Sequence, residues 1–396
     1  MNKMQYRKDI RSGNQISALG FGCMRFPERM GRIDREKTEK LLLKAFESGI
    51  NYYDTAYMYP GSEEVLGEIL KKNGLREKVF IATKLPQSMC HAASDFNRFF
   101  DIQKQRLQTD YIDYYLIHNI TDFIQWEKLY QFGIKDWISN KKKSGEIRQI
   151  GFSFHGPLND FFKTLDACDW DFVQIQYNYI HTHYQAGTEG LRYAAEKEIP
   201  VMIMEPLMGG KLANLPKDAE AVLKKSLPDA TAAALALRFV WNERGVATLL
   251  SGMNQLSQLE ENLALAEAAL PDSLTQAEQK TIEEIKTIFN KNCKIPCTGC
   301  NYCMPCPQKI NIPDCFEAYN NSFTLGRGSG IFQYLSSAGF LGEVPHFASD
   351  CVKCGKCESH CPQQIEIIKQ LKTVRRRLEF PGIKIMRFFM LKMRAK

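Results

Sequence analysis

The sequence predicts an α/β fold, a closed (β/α)8 barrel followed by a smaller cysteine-rich module. Three observations predict it. Short apolar runs alternate with amphipathic stretches for eight rounds between residues 17 and 268. Three successive apolar runs end on polar residues, Asp54, Lys84 and His118, at the strand ends where a parallel barrel does its chemistry. Of 13 cysteines, only Cys23, Cys90 and Cys168 precede residue 290, and ten fall within residues 293–361.

Strand signals lie near residues 17–22, 50–54, 79–84, 112–118, 147–153, 172–177, 201–205 and 246–251. Helical signals fall between them, near 35–48, 62–72, 95–107, 125–143, 157–167, 189–197, 229–242 and 256–268. Strand-then-helix units joined by right-handed crossovers close into a barrel. In the second unit Ser62 is placed to cap a helix running through Val65, Leu66, Ile69 and Leu70. Residues 207–228 read as a longer loop with a small helix, Gly209-Gly210 at its start and Pro228 near its end. Residues 271–290, with Leu274, Ile282, Ile285 and Ile288, read as a helix leaving the barrel. Composition then turns to Cys, Pro and Asn. The expected domains are therefore the barrel over 1–290, the cysteine module over 291–371 and a basic tail over 372–396.

At 396 residues the chain is long for one domain and suits a barrel plus a module. An apolar share of 44% supports a sizeable core. The opening Met1-Asn2-Lys3-Met4-Gln5 is polar and no run of eighteen apolar residues occurs. No signal peptide, no transmembrane segment and a cytoplasmic location are expected. The net charge of +7 is unevenly placed: residues 372–396 hold nine Lys or Arg and one acid, Glu379. That local +8 leaves −1 for everything before it, so the basic excess belongs to the tail. Nothing resembles a nucleic-acid-binding motif, and no nucleic-acid partner is expected.

The stretch Asp54-Thr55-Ala56-Tyr57-Met58-Tyr59-Pro60-Gly61-Ser62-Glu63 places an acid and a phenol just past a strand. Lys84 and His118 end the next two. Asp, Tyr, Lys and His in this order resemble the tetrad of the aldo-keto reductases. Tyr6-Arg7-Lys8 through Ser17-Ala18-Leu19-Gly20-Phe21-Gly22 is similar to that family's entry hairpin and first strand. The resemblance covers roughly residues 4–270. It implies a TIM barrel that interconverts a carbonyl and an alcohol by hydride transfer, with Asp54, Tyr59, Lys84 and His118 as catalytic residues. The chemistry asks for these types. A free phenol, pKa about 10, is a reluctant acid, and a nearby ammonium lowers that value. Tyr59 is then the general acid, Lys84 its tuner, Asp54 the anchor of Lys84, and His118 the group that orients the carbonyl.

The same resemblance implies a nicotinamide site. Gln174, in Phe172-Val173-Gln174-Ile175-Gln176-Tyr177-Asn178, and Ser153, in Gly151-Phe152-Ser153, match positions that bind the carboxamide. Phe154 and His155 follow where the family usually has Asn, and Met204 stands where it often has a stacking Tyr. Gly209 and Gly210 let backbone amides approach a pyrophosphate. Ser251, Glu261 and Asn262 match the adenine side. The cations that commonly grip a 2′-phosphate are replaced by Gly252 and Gln258, so NADPH, NADH and a flavin all stay open.

Residues 351–362, Cys-Val-Lys-Cys-Gly-Lys-Cys-Glu-Ser-His-Cys-Pro, match the bacterial ferredoxin run C-x2-C-x2-C-x3-C-P. Residues 297–307 depart from it by one residue. The alternative reading of such pairs is zinc. The resemblance to ferredoxins implies two [4Fe–4S] clusters, one on Cys297, Cys300, Cys303 and Cys361, the other on Cys351, Cys354, Cys357 and Cys306. Cys293 or Cys315 could substitute for Cys306. The whole layout is similar to bacterial and archaeal aldo-keto reductases with a C-terminal ferredoxin-like domain.

A hydride carries two electrons and a cluster passes one, so a joint circuit needs a one-electron-competent intermediary such as a flavin. The expectation is an aldo-keto-reductase-type oxidoreductase linked to iron–sulfur electron transfer. The other readings are a flavin-linked or scaffold electron-transfer protein and a redox-sensing regulatory subunit. Expected partners are a small carbonyl or alcohol and a ferredoxin or flavodoxin received by the basic tail, with an anionic membrane face or a merely solvated helix as alternatives.

Overall fold

The computed structural model describes residues 4–324, 326–338, 345–383 and 387. The chain folds as two compact units: residues 1–207 with 233–279, and residues 208–232 with 280–396.

In the first unit eight parallel strands close in chain order: β1 (Leu19–Gly22), β2 (Tyr52–Asp54), β3 (Phe80–Leu85), β4 (Ile112–Ile120), β5 (Ile147–Phe154), β6 (Phe172–Gln176), β7 (Val201–Met204) and β8 (Val246–Ser251). Each is nearly all buried, as parallel strands covered by helices must be. Its helices are α1 (Arg35–Glu47), α2 (Ser62–Lys72), α3 (Ala93–Leu107), α4 (Phe123–Gln131), α5 (Ile134–Lys143), α6 (Leu158–Asp166) and α7 (Gly187–Glu196), then, after α8 (Lys217–Ser226) of the second unit, α9 (Ala232–Trp241) and α10 (Leu256–Ala266). The single helix expected near 125–143 is two, parted at Gly133 with φ +83°. Ser62 does not cap α2. Gly61 is the N-cap, and the Ser62 hydroxyl donates instead to the Cys23 carbonyl at 2.8 Å.

The entry hairpin pairs Tyr6–Lys8 with Gln15–Ser17 across the amino end of the barrel. Tyr114, inside the barrel, donates to buried Asp9 of that hairpin at 2.8 Å. Arg7 donates to the carbonyls of Trp241 (2.5 Å), Val246 (2.6 Å), Glu243 (3.1 Å) and Ala269 (3.2 Å). Three of these carbonyls run from the end of α9 to the start of β8, and the fourth, Ala269, follows α10 (Leu256–Ala266), so one guanidinium satisfies acceptors that two helix ends leave over.

The second unit contains α8, α11 (Gln276–Asn292, which begins in the first unit), α12 (Ile312–Thr324), α13 (Arg327–Ser337), the short α14 (Lys356–Ser359) and α15 (Ile367–Leu378). Phe316, Tyr334, Phe347, Leu371, Val374 and Leu378 form its own core. Residues 384–386 and 388–396 of the basic tail lie outside the described residues. No helix among the described residues is long and apolar enough to cross a membrane.

Replacing Arg7 by Met keeps the stem and removes all four hydrogen bonds. Thermal denaturation followed by circular dichroism is expected to show a loss of about 2–4 kcal/mol.

Candidate active site

Asp54 is the last residue of β2, and Lys84 is the fifth of six in β3. Register pairs Asp54 with Ala82, which sets Lys84 one inward-facing position further along the same rim. The Lys84 ammonium donates to Asp54 Oδ2 at 2.7 Å and to the Thr55 carbonyl at 2.6 Å. Both side chains are buried, Lys84 to 1% exposure and Asp54 to 4%. Burial pushes the Asp54 carboxyl up and the Lys84 charge opposes it. An ammonium has three N–H donors, so one remains after these two bonds. The Tyr59 ring centre lies 5.0 Å from Lys84 Nζ. The His118 ring stands edge-on to Tyr59 at 6.0 Å.

A bulge presents His118. Pairing between β4 and β5 slips between Ile117 and Ile120, and Asn119 takes φ +58°. The Asn119 amide donates to the Ser153 hydroxyl at 2.7 Å, which ties this bulge to β5. His118 is 7% exposed. Its imidazole is held well below the ordinary value, first by burial, then by the Lys84 charge and by His155. At neutral pH it is therefore uncharged.

A buried polar layer sits behind the rim. Glu63, in the first turn of α2, accepts from Thr83 Oγ1 at 2.6 Å, Gln103 Nε2 at 2.8 Å and Arg106 Nη1 at 3.1 Å. Gln103 also donates to the Lys84 carbonyl at 3.1 Å and accepts from the Tyr115 hydroxyl at 2.7 Å. The start of α2, which follows the Tyr59 loop, and the strand carrying Lys84 are thus tied to the same carboxylate.

Of the residues matched to a nicotinamide site, Ser153 and Gln174 are direct register partners on neighbouring strands. Gln174 is buried, and its side-chain oxygen has no hydrogen-bond partner among the described residues. That orphan acceptor suits an incoming amide N–H. Met204 pairs in register with Gln176 and is half-buried. Ser251 accepts from Asn262 Nδ2 at 3.1 Å, and Glu261 precedes Asn262 on α10. Gln258 closes the start of α10, its oxygen accepting from the Asn254 and Gln255 amides. Gly209 and Gly210 belong to the second unit. At Gly209, φ +69°, a Cβ would stand 2.2 Å from the Thr298 carbonyl oxygen, so close packing within that unit alone requires glycine there.

In the cysteine module, Cys297, Cys300, Cys303 and Cys361 line one small cavity, walled by Ile312 and Phe316. The Cys303 thiol is pushed up by burial and then by its neighbours Cys300, Cys297 and Cys361. Cys357 is pushed up to about 11, by burial first and then by Glu358, with Cys351 and Cys306 among the smaller causes. Cys354 is exposed. Cys293 is occupied locally: it donates to the Ile295 carbonyl and accepts from Asn320. Cys315 is buried on α12, with Cys306 among its neighbours. Among the described residues no three His, Cys, Asp or Glu side chains converge as the ligands of one ion would. A cubane is held at separate irons, one thiolate to each, so its ligands stand further apart.

A model of the aldo/keto reductase family matches residues 18–286, and a 4Fe–4S dicluster domain model matches residues 296–366. The chain belongs to the aldo/keto reductase family. Relatives of this aldo/keto reductase include L-galactose dehydrogenase of Arabidopsis thaliana, 27% identical over 318 residues that span 73% of this chain and 95% of that one. The methylglyoxal reductase YeaE of Escherichia coli is 30% identical over 290 residues, 68% of this chain and 93% of that one. A solved aldo-keto reductase of Bacillus halodurans, in its holo form, aligns with a TM-score of 0.60 at 27% identity, covering 72% of this chain and 96% of that one. The protein is an oxidoreductase with a C-terminal iron–sulfur cluster domain.

Sequence reading did not find Glu63, Gln103, Thr55 or the Ser153–Asn119 bond. Gln103 had a signal: it interrupts the helical stripe Phe96, Phe99, Phe100, Leu107 at a core position. Thr55 had none, because it acts through its carbonyl.

Gln103→Leu leaves Glu63, Thr83 and the Lys84 carbonyl short of a donor. A loss of about 2–3 kcal/mol in urea unfolding is expected. His155, buried behind the rim, is pushed down to about 4 by burial, with Gln185 opposing. Between pH 6.5 and 4 the unfolded chain binds this proton and the folded chain does not. Stability is therefore full above the ordinary value and falls as pH drops, by up to about 3 kcal/mol from this group. Melting temperatures across pH 7 to 4, with His155→Gln showing the shallower fall, check this.

Proposed function

We propose that the barrel reduces a small carbonyl compound, and runs the reverse oxidation of the alcohol, with Tyr59 as the general acid. The observation that carries the reading is the buried Lys84–Asp54 pair set against the Tyr59 ring. With two of its donors committed to Asp54 and Thr55, Lys84 has one left for the phenol side. A fixed ammonium there favours the phenolate and makes the phenol a better acid. Asp54 holds the Lys84 ammonium in place. His118, neutral at working pH, gives a hydrogen bond to the carbonyl oxygen and leaves proton delivery to Tyr59.

A nicotinamide supplies the hydride when bound. Gln174 and Ser153 would hold its carboxamide, Met204 would lie along the ring, and Ser251, Glu261 and Asn262 would meet the adenine end. Gln258, already occupied as a helix closure, offers no cation to a 2′-phosphate, which favours NADH over NADPH. L-galactose dehydrogenase and methylglyoxal reductase act, by name, on a small hydroxy and a small oxo compound, and the same class fits this chain.

For the C-terminal module the reading is two [4Fe–4S] clusters. Cys297, Cys300, Cys303 and Cys361 would hold one, and Cys351, Cys354, Cys357 and Cys306 the other. The cavity lined by the first four cysteines and the grouping of Cys306 with Cys351 and Cys357 support these sets. The division of labour is reduction in residues 1–290, electron transfer in 291–371, and a basic extension in 372–396, with an acidic electron carrier as partner. A reducing cytoplasm suits 13 cysteines, none of them in a disulfide among the described residues.

Tyr59→Phe, purified without oxygen, is the test. Carbonyl reduction with NADH is expected to fall by at least about a thousandfold, while iron content and the cluster spectrum stay those of the parent. Turnover that survives the substitution rules out Tyr59 as the acid. Flavin quantification on the same sample shows whether a flavin occupies the barrel instead.

A further inference from the structure

A groove of about 730 Å³ runs along α15 in the second unit. Lys372, Arg375 and Arg376 of the helix line it with Lys353 of the cysteine loop, Leu371 and Ile383 supply apolar surface, and Cys351 borders it. All four cations are exposed. Acids nearby are committed elsewhere. Glu379, which also lines the groove, accepts from the Tyr334 hydroxyl and the Ser349 amide. Asp350 pairs with Arg387, and Glu366 with Lys369. Glu358 accepts from the Ile368 amide. Among the described residues these four cations make no ion pair. Val352, 60% exposed, and Cys354 bring the cysteine loop to the surface beside them.

We propose that this groove is the docking site for an acidic electron-carrier protein of ferredoxin or flavodoxin type. The proposal rests on reading Cys351, Cys354 and Cys357 as cluster ligands. It narrows the partner surface from the whole basic tail of 372–396 to the part that ends α15, Lys372, Arg375 and Arg376, joined by Lys353 of the cysteine loop. The face combines the two features of a transient, steered interface. Four cations against the single lining carboxylate of Glu379 leave a net positive face, which raises the rate of encounter with an acidic protein. Exposed apolar side chains among the cations, Val352 and Phe380 at 39%, give the encounter something to bury. The cations come from two elements and flank an apolar floor, which suits a broad acidic surface better than one small anion.

The test uses the full chain, purified anaerobically with its clusters. Binding of plant-type [2Fe–2S] ferredoxin is measured by calorimetry at low salt and at 0.3 M salt. The parent is compared with a Lys372→Glu/Arg375→Glu/Arg376→Glu variant and with its Gln counterpart, which serves if charge reversal disturbs folding. Iron is counted first in each. The expected result is parental binding at low salt that weakens by on the order of tenfold or more in the charge-reversed variant, with the gap closing at high salt. Equal affinities, or no binding by the loaded parent, overturn the docking site. Inorganic pyrophosphate binding that depends on the same residues, with ferredoxin not bound, overturns it in favour of a small anion. A parent that holds no iron overturns the ligand reading itself.

Discussion

A lysine and an aspartate sealed inside the barrel hold its carboxyl-end rim in one geometry. Taking two charges out of water is expensive, and a hydrophobic pair would serve stability as well or better. Removing either partner alone would strand the other, at about 3–5 kcal/mol. The pair is thus poorly explained as a staple and well explained as a fixed charge. Its value lies in where the ammonium stands, against the Tyr59 ring and near enough to add to the burial that holds the His118 imidazole below its ordinary value.

Everything that surrounds the pair limits its movement. The Thr55 carbonyl takes a second proton of Lys84, and Gln103 takes the Lys84 carbonyl. Glu63 joins β3 to α2, and the Ser62 hydroxyl joins α2 to the Cys23 carbonyl after β1. Three strands and two helices therefore share one hydrogen-bonded layer. A layer in which nearly every donor is spoken for has little freedom to drift, and its low dielectric strengthens each bond.

The barrel was legible because a parallel sheet covered by helices writes itself as short apolar runs, and because Asp54, Lys84 and His118 break those runs at their ends. That Asp54, Tyr59, Lys84 and His118 would gather on one rim was legible for the same reason. What escaped was whatever acts through backbone or across long separations. Ser62 looked like a cap by residue type, yet Gly61 took that position and the hydroxyl found a carbonyl from another loop. The split of α4 from α5 turned on one glycine within a continuous amphipathic pattern. The 44-residue stretch between Cys306 and Cys351 showed apolar clusters, but that α12 and α13 would close a separate core with α15 depends on contacts no local pattern records.

The second unit is not a simple appendage. It draws residues 208–232 out of the middle of the first unit's chain, and Gly209 lies so close to the Thr298 carbonyl that any side chain would collide. Cutting the gene at the end of the family match would thus leave a severed half of a packed contact on the shortened product. The two parts are laced together in sequence, so neither could have been swapped in or discarded as a cassette without rewriting the loop after β7.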